Sequence, residues 1–208
     1  MWNFLLESTP ERRRRRYGDA GYDWDCHVNT TSATVSWRDR LLGVFHSPYQ
    51  PTAPELFREM MDQLKIDFSR FAFIDLGSGK GRTLLMASEY PFRRIVGVEL
   101  LPDLHRVARQ NLQNYQSESR KCFHVEALCA DACDYAFPPE PIVLYLFNPL
   151  PESSLKKVIL KLEESLGSHP RPVYVVYHNP LLEHLLLHSP VLKKTGGTHQ
   201  YSIFTATG

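Results

Sequence analysis

Cysteine is scarce in this 208-residue chain, and none of the four, Cys26, Cys122, Cys129 and Cys133, forms a C-x-x-C pair. That argues against a disulfide framework, and the simplest reading is reduced thiols in a cytosol. Cys129 and Cys133 fall where a strand end runs into a loop, so no metal site is expected. Apolar runs of the roughly 18 residues that a membrane span requires are missing, and no apolar signal core precedes the first arginines. A bias of charge is missing too: the formal net charge is +1, so any attraction to a polyanion must be local. Together these absences predict a cytoplasmic protein that makes no use of a membrane.

What is present divides in two. Residues 1–48 form an amino-terminal extension that mixes a five-arginine run, Arg12 to Arg16, with Gly, Asp, Asn and Thr and shows no sustained periodicity. From residue 49 to 208 the pattern becomes regular. Thr52, Pro54 and Glu55 in "YQPTAPELFREMMDQL" predict a capped helix start, with Leu56, Met60 and Leu64 on one stripe. Then "FAFIDLG", "RRIVGVEL", "FHVEALCAD", "PIVLYLFNPL" and "PVYVVYHNP" read as strands. Helical stretches separate most of them, which predicts an α/β fold with a parallel sheet covered by helices on both faces. Gly196-Gly197 lies between two strand-like runs, so an antiparallel hairpin is expected to close the sheet.

The turn "IDLGSGKGRT" joins the first strand to its helix, where open α/β sheets bind ligands. Its glycines at 77, 79 and 81 leave backbone bare for a ligand, and the following helix aims unpaired N–H groups at it. A nucleoside-triphosphate loop is excluded, because Ile74 stands where its first glycine must be and Gly81 where Ser or Thr must be. The dinucleotide pattern G-x-G-x-x-G fails as well, since it requires glycine at Arg82. Asp75 would repel a pyrophosphate but can accept hydrogen bonds from a cationic amine. Glu99, at the tip of the second strand, suits the two hydroxyls of a ribose. Asp131, after the third, suits an adenine amine. Acceptors for an amine, a ribose and an adenine on three successive strands describe S-adenosylmethionine.

"FIDLGSGKGR", "IVGVELLP", "CADA" and "VLYLFNPL" resemble, in order and spacing, the successive motifs of the class I S-adenosylmethionine-dependent methyltransferases. The resemblance implies a Rossmann-like sheet of seven strands, mostly parallel, with the last antiparallel. It also implies cofactor contacts from Asp75, Gly77, Ser78, Gly79, Gly81 and Leu100, from Glu99 at the ribose, and from Asp131 and Ala132 at the adenine. "DLGSGKGR" is similar to the loop of the non-SET histone-lysine methyltransferases too, a likeness expected to end near that loop.

On the acceptor side, "LFNPLP" is similar to the N-P-P-[YF] signature of amino-directed methyltransferases, with Leu150 in place of the second proline and no following aromatic. Asn148 offers a carbonyl oxygen for an acceptor N–H and a place in the cofactor shell, and Phe147 can line the methyl path. Tyr177 and His178, in "VVYHNP", are placed to orient an acceptor or take its proton. Tyr49 and Thr52 are candidates for a lid touching the cofactor's carboxylate. Transfer to a nitrogen or oxygen acceptor is the leading expectation, with a small molecule or protein side chain favoured and nucleic acid a further candidate. A non-catalytic cofactor-binding scaffold or sensor and a nicotinamide-dependent oxidoreductase are the alternatives.

Overall fold

The computed structural model describes residues 21–31, 51–147 and 150–206. Tyr49, Asn148 and the arginine run lie outside these described residues. In chain order the elements are α1 (Pro54–Leu64), β1 (Ala72–Leu76), α2 (Arg82–Ala87), β2 (Arg94–Glu99), α3 (Pro102–Asn114) and β3 (Val125–Cys129). They continue with β4 (Ile142–Phe147), α4 (Glu152–Ser168), β5 (Val173–His178), α5 (Glu183–Leu187), β6 (Lys193–Gly197) and β7 (Tyr201–Ala206). Single 3₁₀ turns precede β1 and follow β3. No helix among the described residues is long and apolar enough to cross a membrane.

The seven strands form one sheet in the order β3-β2-β1-β4-β5-β7-β6. All pairings through β5 are parallel, and β7 runs antiparallel to both β5 and β6. The order reverses between β1 and β4, so the cleft beyond their carboxyl ends is where a ligand is expected. Successive residues in a strand alternate between the two faces. One face carries Ala72, Ile74, Leu76, Leu144, Leu146 and Val175 under Leu155, Val158 and Leu162 of α4. The other carries Phe73, Val143, Tyr145 and Val176 under Phe57, Met60, Met61 and Leu64 of α1 and Leu84 of α2. Each of these large apolar side chains contributes about 1.5–3 kcal/mol relative to leaving it in water.

Two local expectations are corrected. The cap of α1 is Ala53, and no side chain bonds to it. Thr52 instead turns its hydroxyl inward, 2.8 Å from the Tyr145 hydroxyl, because a buried phenol needs a partner more than a helix end open to water does. Gly196 and Gly197 are not the turn but the end of β6. Gly197 has φ 129°, and a Cβ there would stand 2.4 Å from the Tyr201 carbonyl oxygen, so glycine lets the strands close together. The turn itself is held by Thr198, whose N–H donates to the Tyr201 carbonyl at 2.8 Å and whose hydroxyl accepts from Gln200 N–H at 3.1 Å.

Candidate active site

The glycine loop is stitched to β2 before it reaches α2. Both Gly77 N–H and Ser78 N–H donate to the Val98 carbonyl, at 2.8 and 3.0 Å. Gly77, Gly79 and Gly81 take φ of 88°, 54° and 82°, a region that side chains with a Cβ resist. Neighbouring β2 carries its own glycine for this reason: a Cβ on Gly97 would fall 2.5 Å from the Leu84 side chain and 2.8 Å from Ser78 Oγ. Gly81 caps α2, and the Leu84 and Leu85 N–H groups donate back to its carbonyl.

Two acidic side chains close on this loop. Asp75, the fourth residue of β1, is buried and accepts from the Thr83 hydroxyl. Burial, joined by the nearby Glu99 charge and opposed by the Thr83 bond, raises its carboxyl to about 7. Glu99, the last residue of β2, accepts from Gly79 N–H and from Leu101 N–H, each at 2.8 Å. Burial raises Glu99 as well, against those backbone bonds. Among the described residues no lysine or arginine forms a salt bridge with either carboxylate, and the His105 charge acts weakly against the rise at Glu99. Leu100 is half exposed beside them.

Asp131 follows Ala130, whose N–H donates to the Glu99 carbonyl at 3.1 Å. The exposed Asp131 carboxylate accepts from Cys133 N–H at 2.8 Å and so caps the 3₁₀ turn Ala132–Asp134, whose Ala132 is buried against the α4 side of the sheet. Farther along the carboxyl edge, Phe147 ends β4 and His178 ends β5 in direct register. Their rings stack, 3.8 Å apart at 21°. His178 Nδ1 is 2.9 Å from the Tyr145 hydroxyl, which completes a buried chain Thr52–Tyr145–His178. Burial lowers the His178 imidazole to about 4, so it is neutral near pH 7. Tyr177 is not brought to this group. It faces the α4 side, with its hydroxyl 3.4 Å from Leu182 N.

Residues that sequence reasoning passed over hold the loop from outside. The Asn111 amide donates to the Lys80 carbonyl at 2.9 Å and to the Asn29 carbonyl at 3.0 Å, and accepts from Asn29 N–H at 2.8 Å. Lys80 Nζ donates to Asn29 Oδ1 at 2.8 Å, and the Arg82 guanidinium lies over the Tyr22 ring, 4.5 Å from its centre. Asp23 gathers the N–H and hydroxyl groups of Thr30 and Thr31. Thus residues 21–31 of the extension pack as a short strap against the glycine loop.

This geometry agrees with what the chain resembles. A family model described as histone methylation protein DOT1 matches residues 44–131. The solved RNA methyltransferase of Salinibacter ruber, in complex with S-adenosyl-L-homocysteine, superposes with a TM-score of 0.50 at 24% identity, covering 76% of this chain and 92% of that one. The fold is that of the class I S-adenosylmethionine-dependent methyltransferases. Ribosomal protein L11 methylase from Lactobacillus delbrueckii subsp. bulgaricus shares this methyltransferase fold, with a TM-score of 0.51, 12% identity and coverage of 74% and 77%. So does a dimethyladenosine transferase from Plasmodium falciparum, with a TM-score of 0.51, 13% identity and coverage of 74% and 61%. No curated protein is a significant match. The likeness to the histone-methylation family does not end near the glycine loop, as the short shared motif implied; it begins before α1 and runs past β3.

Proposed function

We propose that the chain is an S-adenosylmethionine-dependent methyltransferase that transfers the methyl group to a nitrogen or oxygen acceptor. The observation that carries this reading is the pair of buried carboxylates, Asp75 and Glu99, around the glycine loop with no described lysine or arginine in a salt bridge to either. A ligand with a cationic amino end and a ribose fits that donor-poor, acceptor-rich cradle. Asp75 would take the amino group, which favours its ionised form. Each Glu99 oxygen already accepts one N–H and retains a lone pair for a ribose hydroxyl. Leu100 offers an apolar surface for the adenine, and Asp131 with Ala132 stands beyond β3 for its edge.

When bound, the cofactor supplies an electrophilic methyl group, and the protein's part is alignment and exclusion of water. Phe147 and His178 form a flat wall at the ends of β4 and β5, beside the switch point. Asn148, which follows Phe147 in sequence, is assigned to hold the acceptor N–H, and Tyr49 to the lid, both on sequence grounds. The fold does not select the acceptor, since the solved proteins that share it are named for RNA and for a ribosomal protein. A small molecule or a protein side chain is favoured for a chain whose formal net charge is only +1.

Calorimetric titration with S-adenosylhomocysteine, with NAD and NADP as controls, tests the cofactor. Micromolar binding of the first alone, about 8 kcal/mol, is expected. Glu99→Ala removes charge-assisted hydrogen bonds worth about 1.5–3 kcal/mol, so affinity should fall at least about tenfold. Absence of binding to the folded protein would make the fold a scaffold, and binding of NAD in its place would make it an oxidoreductase.

A further inference from the structure

The Thr52–Tyr145–His178 chain joins three segments through two bonds, 2.8 Å and 2.9 Å long, and each bond can in principle run either way. Counting protons decides the direction. If His178 donated from Nδ1 to Tyr145 and Tyr145 donated to Thr52, the Thr52 proton would have no acceptor among the described residues. Thr52 is 2% exposed, so that proton would be buried and unsatisfied. In the opposite direction Thr52 donates to Tyr145, Tyr145 donates to Nδ1, and the remaining proton sits on His178 Nε2. Tyr145 lies two residues deeper along β4 than Phe147, the register partner of His178. Nδ1 therefore faces the sheet interior, and the other ring nitrogen is left toward the strand ends, where His178 retains 8% exposure.

We propose that Tyr145, backed by Thr52, is a positioning residue that fixes His178 as its Nε2–H tautomer, so that His178 donates a hydrogen bond to the methyl acceptor instead of taking its proton. The inference rests on the methyltransferase reading for the word acceptor, but not for the tautomer. A neutral N–H donor beside the methyl path suits a substrate that carries an oxygen or ring-nitrogen lone pair next to its nucleophile, such as a primary amide. It does nothing for an alkylammonium group, which has no lone pair to offer. Burial keeps the imidazole neutral, so the donor is present throughout the neutral range.

Long-range nitrogen–proton correlation spectra of the ¹⁵N-labelled full chain, with His178 assigned by its loss in His178→Gln, read the tautomer directly. Wild type should show the proton on Nε2, and Tyr145→Phe should shift the ring toward a mixture. Thr52→Val should leave the tautomer unchanged, because Tyr145 loses only a donor; a change there would mean the chain runs the other way and overturns the proposal. So would a wild-type proton on Nδ1, and both results decide the matter even if Tyr145→Phe does not fold. In protein saturated with S-adenosylhomocysteine, acetamide should move the Nε2–H signal and ethylammonium should not; equal or absent movement overturns the assignment of acceptor chemistry. Failure of S-adenosylhomocysteine to bind, with the Nε2 tautomer intact, would count against the methyltransferase reading alone.

Discussion

The two faces of the central sheet are built by the same strands, yet they differ in chemistry. On the α4 side, Ile74, Leu76, Leu144, Leu146 and Val175 form an aliphatic layer, with Tyr177 at its upper margin. On the α1 side the intervening positions hold Phe73, Asp75, Tyr145 and His178, a layer that turns from apolar to ionisable as it approaches the carboxyl ends. Alternation along a strand lets one residue serve stability and the next serve a site without either compromising the other. The difference can be broken from each side.

The largest effect should come from the aliphatic face. Leu146 is 1% exposed and is flanked in register by Leu76 and Tyr177. Leu146→Ala leaves a cavity in a close-packed layer, for which about 2–5 kcal/mol of stability is the usual loss. Urea unfolding should show that loss, while the folded fraction binds S-adenosylhomocysteine with unchanged affinity. An affinity that fell with stability would show that the two faces are not separate in function.

Asp75 reverses that pattern. Its carboxyl is raised from 3.8 to about 7, so between those values the folded chain binds more protons than the unfolded one. Stability contributed by this group is therefore present at low pH and lost as pH rises through about 7. The groups around it are Thr83, which opposes the shift, Glu99, which adds to it, and Tyr145, its register partner on β4. Asp75→Asn should remove this slope and make the unliganded protein more stable than wild type above pH 7, as a thermal melt series would show. The same variant should bind S-adenosylhomocysteine less tightly, and the wild-type affinity should rise with pH through that window as binding releases a proton. Equal pH slopes in wild type and variant would remove Asp75 from the account.

Much of this was legible in the sequence. The alternation of strand and helix periods gave the sheet, because parallel strands buried on both faces are nearly unbroken apolar runs. Asp75 and Glu99 stood out as acids inside or ending such runs. Tyr145 did not, since a phenol in "VLYLF" reads as a large apolar residue until its partners are known, and those lie 93 and 33 positions away. Tyr177 and His178 read as one group because they are adjacent, whereas the pleat sends them to opposite faces. Asn111 carried a signal that was there to be used: with Leu104 and Ala108 it completes the buried stripe of α3, so an amide there had to find partners inside.

Those partners set the smallest effect and contrast the strap with the sheet it lies on. The Asn111 side chain makes three hydrogen bonds, two of them to Asn29, and the strap's ties also include Lys80 to Asn29, Gln116 N–H to the Cys26 carbonyl and the Tyr22 ring under Arg82. Asn111→Ala removes all three but leaves the apolar contacts of Leu104 and Ala108, so global stability should fall by only about 1–3 kcal/mol, the cost of leaving buried groups without partners. Amide hydrogen exchange should speed up most across residues 21–31 and at the glycine loop, with β1, β4 and β5 speeding up only in proportion to the fall in global stability. If exchange in the loop stays at the wild-type rate while the strap opens, the loop's shape is set by its bonds to Val98 and Glu99 alone, and the strap covers a cradle that is already formed.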